Sequence, residues 1–194
     1  MMWMRMPGQS WPGAAAMFIG MWMAMMVPMM LPSLVLMLRR SPGASRIGAA
    51  AGYFFVWALA GVAIYPIGVT LMAIEMRSPS LAHAVPVVII AAGLFQLTPW
   101  KSRQLRACCT PSPATTAWRH GLRLGIRCIF CCFGLMAILL VVGMMNVAAM
   151  VIVTAAITIE RFVPWPDHAA RAIGVIAIAF GVAECGGHAA AAFF

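Results

Sequence analysis

Cys128, Cys131, Cys132 and Met136 stand three and four residues apart. On an α-helix that spacing puts all four sulfurs on one face. Thiolate with thioether is the donor set that selects copper(I), while zinc or an iron–sulfur centre would also use the thiolates. The order Cys-x-x-Cys-Cys says more than a lone pair but less than two separated pairs, because tetrahedral zinc sites usually draw theirs from different segments. Buried cysteine also packs as a small apolar side chain, so a role without metal stays open. A second sulfur-rich stretch holds eight methionines between Met17 and Met37, with Met25, Met26, Met29 and Met30 on adjoining strips of one helix. Neutral thioethers can coordinate copper(I) without placing charge in lipid, where charge is expensive. Methionine as a flexible filler of gaps is the competing explanation. Pro28 and Pro32, one turn apart, remove backbone donors and predict a bend that presents these sulfurs. The expected arrangement is one site, with the cysteine stripe facing Met25, Met26, Met29 and Met30 across a helical bundle.

The elements that must position these sulfurs are membrane helices. Of the 194 residues 64% are hydrophobic and 9% charged, against about 25% charged in soluble domains. The apolar runs exceed the roughly 18 residues that separate a membrane span from a buried core helix, and a span satisfies its own backbone only as a helix. The expected fold is all-α, a single integral membrane domain over residues 1–194. Six spans are expected, at about 17–38, 47–74, 83–99, 125–142, 145–160 and 169–186. The uncharged run 128–159 is too long for one upright span, so it is divided at Gly143-Met-Met-Asn146; one tilted helix there would give five. Gly48 and Gly52 form a small-xxx-small pattern that lets helix backbones approach.

A net charge of +9 raises nucleic acid as a partner, but the basic residues sit in short segments between apolar runs. Arg39, Arg40 and Arg46 follow the first run, and Lys101, Arg103, Arg106, Arg119, Arg123 and Arg127 follow the third. That asymmetry predicts cytoplasmic loops beside anionic headgroups, with the lipid bilayer and not nucleic acid as the partner. Cys108 and Cys109 fall in such a loop, where thiols stay reduced, and residues after Trp118 suit an interfacial helix. Residues 1–16, with Trp3, Trp11, Pro7 and Pro12, read as an external arm. They make a poor cleavable signal, since prolines and Gly8 interrupt any apolar core.

Other polar residues offer weaker chemistry. Asn146 must find a partner if it lies in lipid, and Glu160 with Arg161 suits a span end whose side chains reach the interface. Glu184, Cys185 and His188 form a small acid, thiol and imidazole group near the last span. His83, His120 and His168 read as solvated. No phosphate-binding loop, His-Glu-x-x-His or Gly-x-Ser-x-Gly motif is present, so hydrolytic catalysis is unsupported.

Taken together these residues resemble a bacterial family of metal-binding integral membrane proteins often labelled copper chaperones, over Trp22 to about Gly181. Its first signature corresponds to Trp22, Met25, Met26 and Met29-Met30-Leu31-Pro32-Ser33, and its second to Gln96-Leu97-Thr98-Pro99-Trp100-Lys101. The third is the run Cys128, Cys131-Cys132-Phe133-Gly134-Leu135-Met136, and the fourth Gly143, Met145, Asn146 and Glu160-Arg161. The chain departs from the pattern at Gln104 and Cys109, where the family has Cys and Arg, and at Phe130 and Phe133, where it has Gly and Trp. The resemblance implies copper(I) handling or delivery in a bacterial cytoplasmic membrane, serving a cuproenzyme. The alternative is an accessory subunit of a larger membrane complex, without metal.

Overall fold

The structure, a computed structural model, describes residues 10–39, 45–75, 84–109, 116–143 and 146–191. All their regular structure is helical: α1 (Trp11–Arg39), α2 (Arg46–Glu75), α3 (Ala84–Gln96), α4 (Pro99–Cys109), α5 (Ala117–Val142), α6 (Val147–Phe162) and α7 (Pro166–Ala191). The chain forms two compact units, Met1–Ser80 with Pro111–Ile126, and Leu81–Thr110 with Arg127–Phe194. The helix α5 contributes its first turns to one unit and the remainder to the other.

Among the described residues four helices are long and apolar enough to cross a membrane: Trp11–Leu36, Arg46–Thr70, Ala117–Val142 and Pro166–Gly186. A bent pair, Val85–Gln96 and Pro99–Arg106 at 65°, makes five if it counts as one span. The described residues thus give four or five candidate spans where six are expected. Residues 145–160 yield the 16-residue α6, too short to stand among those candidates. The expected division of the uncharged run does occur, because α5 stops at Val142 and Gly143 follows with φ +108°, a left-handed conformation natural to glycine. Asn146 then caps α6 by accepting from the Ala149 amide at 3.1 Å, so its partner is its own helix.

The segment 101–127, expected as a loop with an interfacial helix, is helical in α4 and in the start of α5. Its break with α3 has a local cause. Pro99 has no amide and disfavours helical backbone at the residue before it. Thr98 fills the gap, its hydroxyl donating to the Phe95 carbonyl at 2.7 Å and accepting from the Lys101 amide at 3.4 Å. The expected arm before residue 10, the loops around residues 40–44, 76–83 and 110–115, His83, and Met144 and Met145 lie outside the described residues, as do the side chains of Cys108, Cys109 and His188.

In the first unit α1 packs on α2 through aromatic rings. Trp22 lies 6.5 Å from Trp57, centre to centre, and its indole donates to the Trp57 carbonyl at 2.9 Å. The small-xxx-small pattern works as expected against the start of α5. A Cβ on Gly52 would come within 2.6 Å of the Trp118 carbonyl oxygen, and one on Gly121 would overlap the Ala49 carbonyl oxygen. The helix continues through Pro28 and Pro32. In the second unit α3 meets α7 just as closely, since a Cβ on Gly93 would lie 2.8 Å from the Gly174 oxygen. That contact joins the bent pair to α7.

Candidate metal centre

The helical period delivers the cysteine stripe. Cys128, Cys131, Cys132, Leu135, Met136 and Leu139 are all buried on α5, and Cys128 Sγ lies 3.9 Å from Cys132 Sγ. Cys131 and Met136 share the buried face. Among the described residues no three His, Cys, Asp or Glu side chains converge as ligands of one ion. A metal at the cysteine pair would thus complete its coordination with a donor of another kind, and Met136 is the thioether on the same stripe.

Facing the thiols is a cation. Arg161 of α6 directs Nη2 between the two sulfurs, donating to Cys128 Sγ at 3.1 Å and Cys132 Sγ at 3.0 Å. Its neighbour Glu160 serves a different partner set, because successive helical residues point about 100° apart. Glu160 accepts from Gln96 Nε2 at 2.7 Å and from Lys101 Nζ at 2.8 Å. Lys101 also donates to the Cys131 carbonyl at 2.6 Å, tying the backbone of the cysteine run to the ion pair. Gln96, Lys101, Glu160 and Arg161 are all between 0 and 3% exposed. Three expectations are corrected here. Lys101 is a buried ligand of a carboxylate and not a loop cation, and Glu160 and Arg161 are core residues and not interfacial ones. His120, expected in solvent, is also buried.

The Met-rich stretch divides by face. Met25, Met26, Met29 and Met30 are buried with Trp22, Ser33 and Leu34, whereas Met17 and Met21 are exposed. Ser33 Oγ is buried there with no hydrogen-bond partner among the described residues. This face lies in the first unit and the cysteine stripe in the second. The hydroxyls of Thr154 and Thr158 bond back to the Met150 and Thr154 carbonyls, so neither is spare for chemistry. In the group expected near the last span, Glu184 is half-buried and Cys185 exposed.

Sequence reasoning found the sulfurs and missed the charges around them. The signal existed: charged residues at the ends of apolar runs, within two of the motifs that carry the family resemblance. It was outweighed by the usual tendency of such residues to reach the interface.

These features define an all-α protein with helices fit to cross a membrane, in which a buried thiol pair meets an arginine beside a lysine–glutamate pair. The chain belongs to the PpoB2 copper chaperone family, whose model matches residues 16–184. That match spans both sulfur faces and the whole charged cluster. No curated protein and no solved structure gives a significant match.

Proposed function

We propose that this chain carries copper(I) as cargo in a bacterial cytoplasmic membrane, with its Arg-rich segments on the cytoplasmic side, and hands it to a cuproenzyme. The reading is supported above all by the separation of Cys128 and Cys132. With metal–sulfur bonds of about 2.3 Å, the zinc–thiolate length, two sulfurs 3.9 Å apart subtend an angle of about 116° at the metal. That is nearly trigonal and leaves one position for a soft donor, the Met136 thioether, with Cys131 beside it on the buried face. A site with two strong ligands and one weak one suits transfer, because an incoming thiolate can displace the thioether first. Met25, Met26, Met29 and Met30 form a second, all-thioether donor set for the same ion, one that adds no charge to the membrane.

The test is anaerobic reconstitution of the purified full-length protein with copper(I), compared with its Cys128→Ser, Cys131→Ser, Cys132→Ser triple variant. The variant should lose tight copper while keeping its helical content. Equal copper affinity in both proteins would refute the site. The competing reading, an accessory subunit without metal, draws on the hydrogen bonds that Arg161 already gives both sulfurs. A stoichiometric partner co-purifying with copper-free protein would favour it.

A further inference from the structure

Trp22 opens the methionine face of α1, and three contacts within the first unit hold its ring in place. Its indole N–H donates to the Trp57 carbonyl at 2.9 Å. Phe18, one turn before it, stacks at 6.1 Å with the ring planes 27° apart. A Cβ on Gly61 would come within 2.7 Å of Trp22 Cδ1, so the indole rests on bare backbone of α2. Met25 and Met26 stand three and four residues further on, and helical side chains lean back over the preceding turn, which here is the turn of Trp22. Trp22, Met25, Met26 and Trp57 are all buried. The ring of Trp57 lies 6.5 Å from that of Trp22, and its own N–H has no acceptor among the described residues. Phenylalanine would fill most of that volume without the cost of a buried, unmet donor. What indole adds is the aromatic face that attracts cations most strongly.

We propose that the rings of Trp22 and Trp57 form, with the sulfurs of Met25 and Met26, a seat for a soft monovalent cation, copper(I) or silver(I), in which the indole faces supply the negative potential that thioethers lack. This rests on the reading of the methionine face as a donor set. Thioethers are neutral, so an ion bound by them alone keeps its full positive charge in a low-dielectric interior where charge is costly. A carboxylate or thiolate would neutralise that charge and hold the ion fast. A ring face lowers the cost through its quadrupole without a bond that must later be broken, and so it suits an ion in transit. Sulfur displaces the water or carrier ligand of the ion, and no electron or proton moves. Methionine against an aromatic ring is also ordinary packing, and a direct signal from the rings separates the two.

Silver(I), redox-stable and chemically close to copper(I), is the probe, titrated into the detergent-purified full-length protein with its six cysteines replaced by serine. Fluorotryptophan labelling gives one fluorine NMR resonance for each of the seven tryptophans, with Trp22→Phe and Trp57→Phe assigning the two of interest. Silver should shift the Trp22 and Trp57 resonances and leave those of the exposed Trp11, Trp100, Trp118 and Trp165 in place. The pair Met25→Leu, Met26→Leu should abolish the shift. Trp22→Leu should weaken silver binding roughly thirtyfold, the strength of a desolvated cation–ring pair, while Trp22→Phe keeps a ring and should lose less than about tenfold. Wild type, at silver beyond that taken by its cysteines, gives the same readout if the serine form misfolds. Silver bound through Met25 and Met26 with both resonances unshifted, or a Trp22→Leu loss below about threefold, overturns the seat and leaves the methionine reading standing. Silver affinity unchanged in Met25→Leu, Met26→Leu, Met29→Leu, Met30→Leu, or no silver bound by the folded cysteine-free protein, overturns both.

Discussion

Replacing Glu160 with glutamine removes one charge from a deeply buried ion pair. Glu160 Oε2 lies 2.8 Å from Lys101 Nζ, and both side chains are almost fully inaccessible. At an effective dielectric of about 20, that separation corresponds to an attraction of about 6 kcal/mol. Desolvation takes back several kcal/mol per ion, so the intact pair contributes little net stability. Its loss is another matter. In Glu160→Gln the Lys101 ammonium keeps the Cys131 carbonyl as acceptor but loses its counter-charge, and removing one partner of a buried pair costs about 3–5 kcal/mol. The new amide can still accept from Gln96, which confines most of the effect to Lys101. The double variant Lys101→Met, Glu160→Gln should recover most of that loss, since an apolar replacement of both charges is often close to neutral. Equilibrium unfolding in mixed micelles on all four members of the cycle gives the coupling energy. A Glu160→Gln penalty below about 1 kcal/mol, or a double variant as unstable as the sum of the singles, would show that the pair is not buried as described.

Further outcomes follow from packing and exposure. Gly121→Ala should destabilise the first unit by about 1–3 kcal/mol or more, because its Cβ meets the backbone of Ala49 and neither helix can yield cheaply. Gly20→Ala, whose Cβ meets nothing within 4 Å, should instead stabilise α1 by about 0.5–1 kcal/mol; the same unfolding measurement compares the two. The fourfold variant Met25→Leu, Met26→Leu, Met29→Leu, Met30→Leu conserves volume, so each change should cost under about 1.5 kcal/mol while copper bound per protein falls. Unchanged copper stoichiometry would assign that face to packing alone. Asp167→Asn breaks the ion pair to Arg106, whose side chain is 72% exposed, and should leave stability nearly unchanged, the more so at high salt.

How much of this was legible in the sequence depended on which interactions are local. The helices were readable because lipid leaves the backbone no alternative, and the cysteine stripe followed from the 3.6-residue period. The break at Gly143 could be placed from length alone. Span number was harder to read. The Gln96-Leu97-Thr98-Pro99 break looked like a span end, yet Thr98 caps a second helix that turns by 65° and carries Lys101 back into the interior. Nothing near Lys101 in sequence announces its partners, which lie 30 and 59 positions away. Arg161 is comparable, because its relation to Cys128 exists only once α6 folds back along α5.

That fold-back gives the pair Glu160-Arg161 its force. Two adjacent residues of one helix project in different directions, so one short segment fixes both an ion pair and the electrostatic setting of the thiols. The carboxylate holds Lys101, Lys101 holds the Cys131 carbonyl, and the guanidinium holds the sulfurs on either side of that residue in the helix. Shifting α6 by one residue would rotate both side chains by about 100° and break the bonds of Glu160 to Lys101 and of Arg161 to the two sulfurs together. A buried ion pair is a weak source of stability but can specify register, and register is what a two-sulfur site 3.9 Å across demands. Insertion of a single alanine in α6 between Thr158 and Glu160 should therefore lower copper affinity as severely as loss of the cysteines themselves, while insertion in the turn at Gly143 should be tolerated. If both insertions bind copper equally well, the charges do not position the sulfurs.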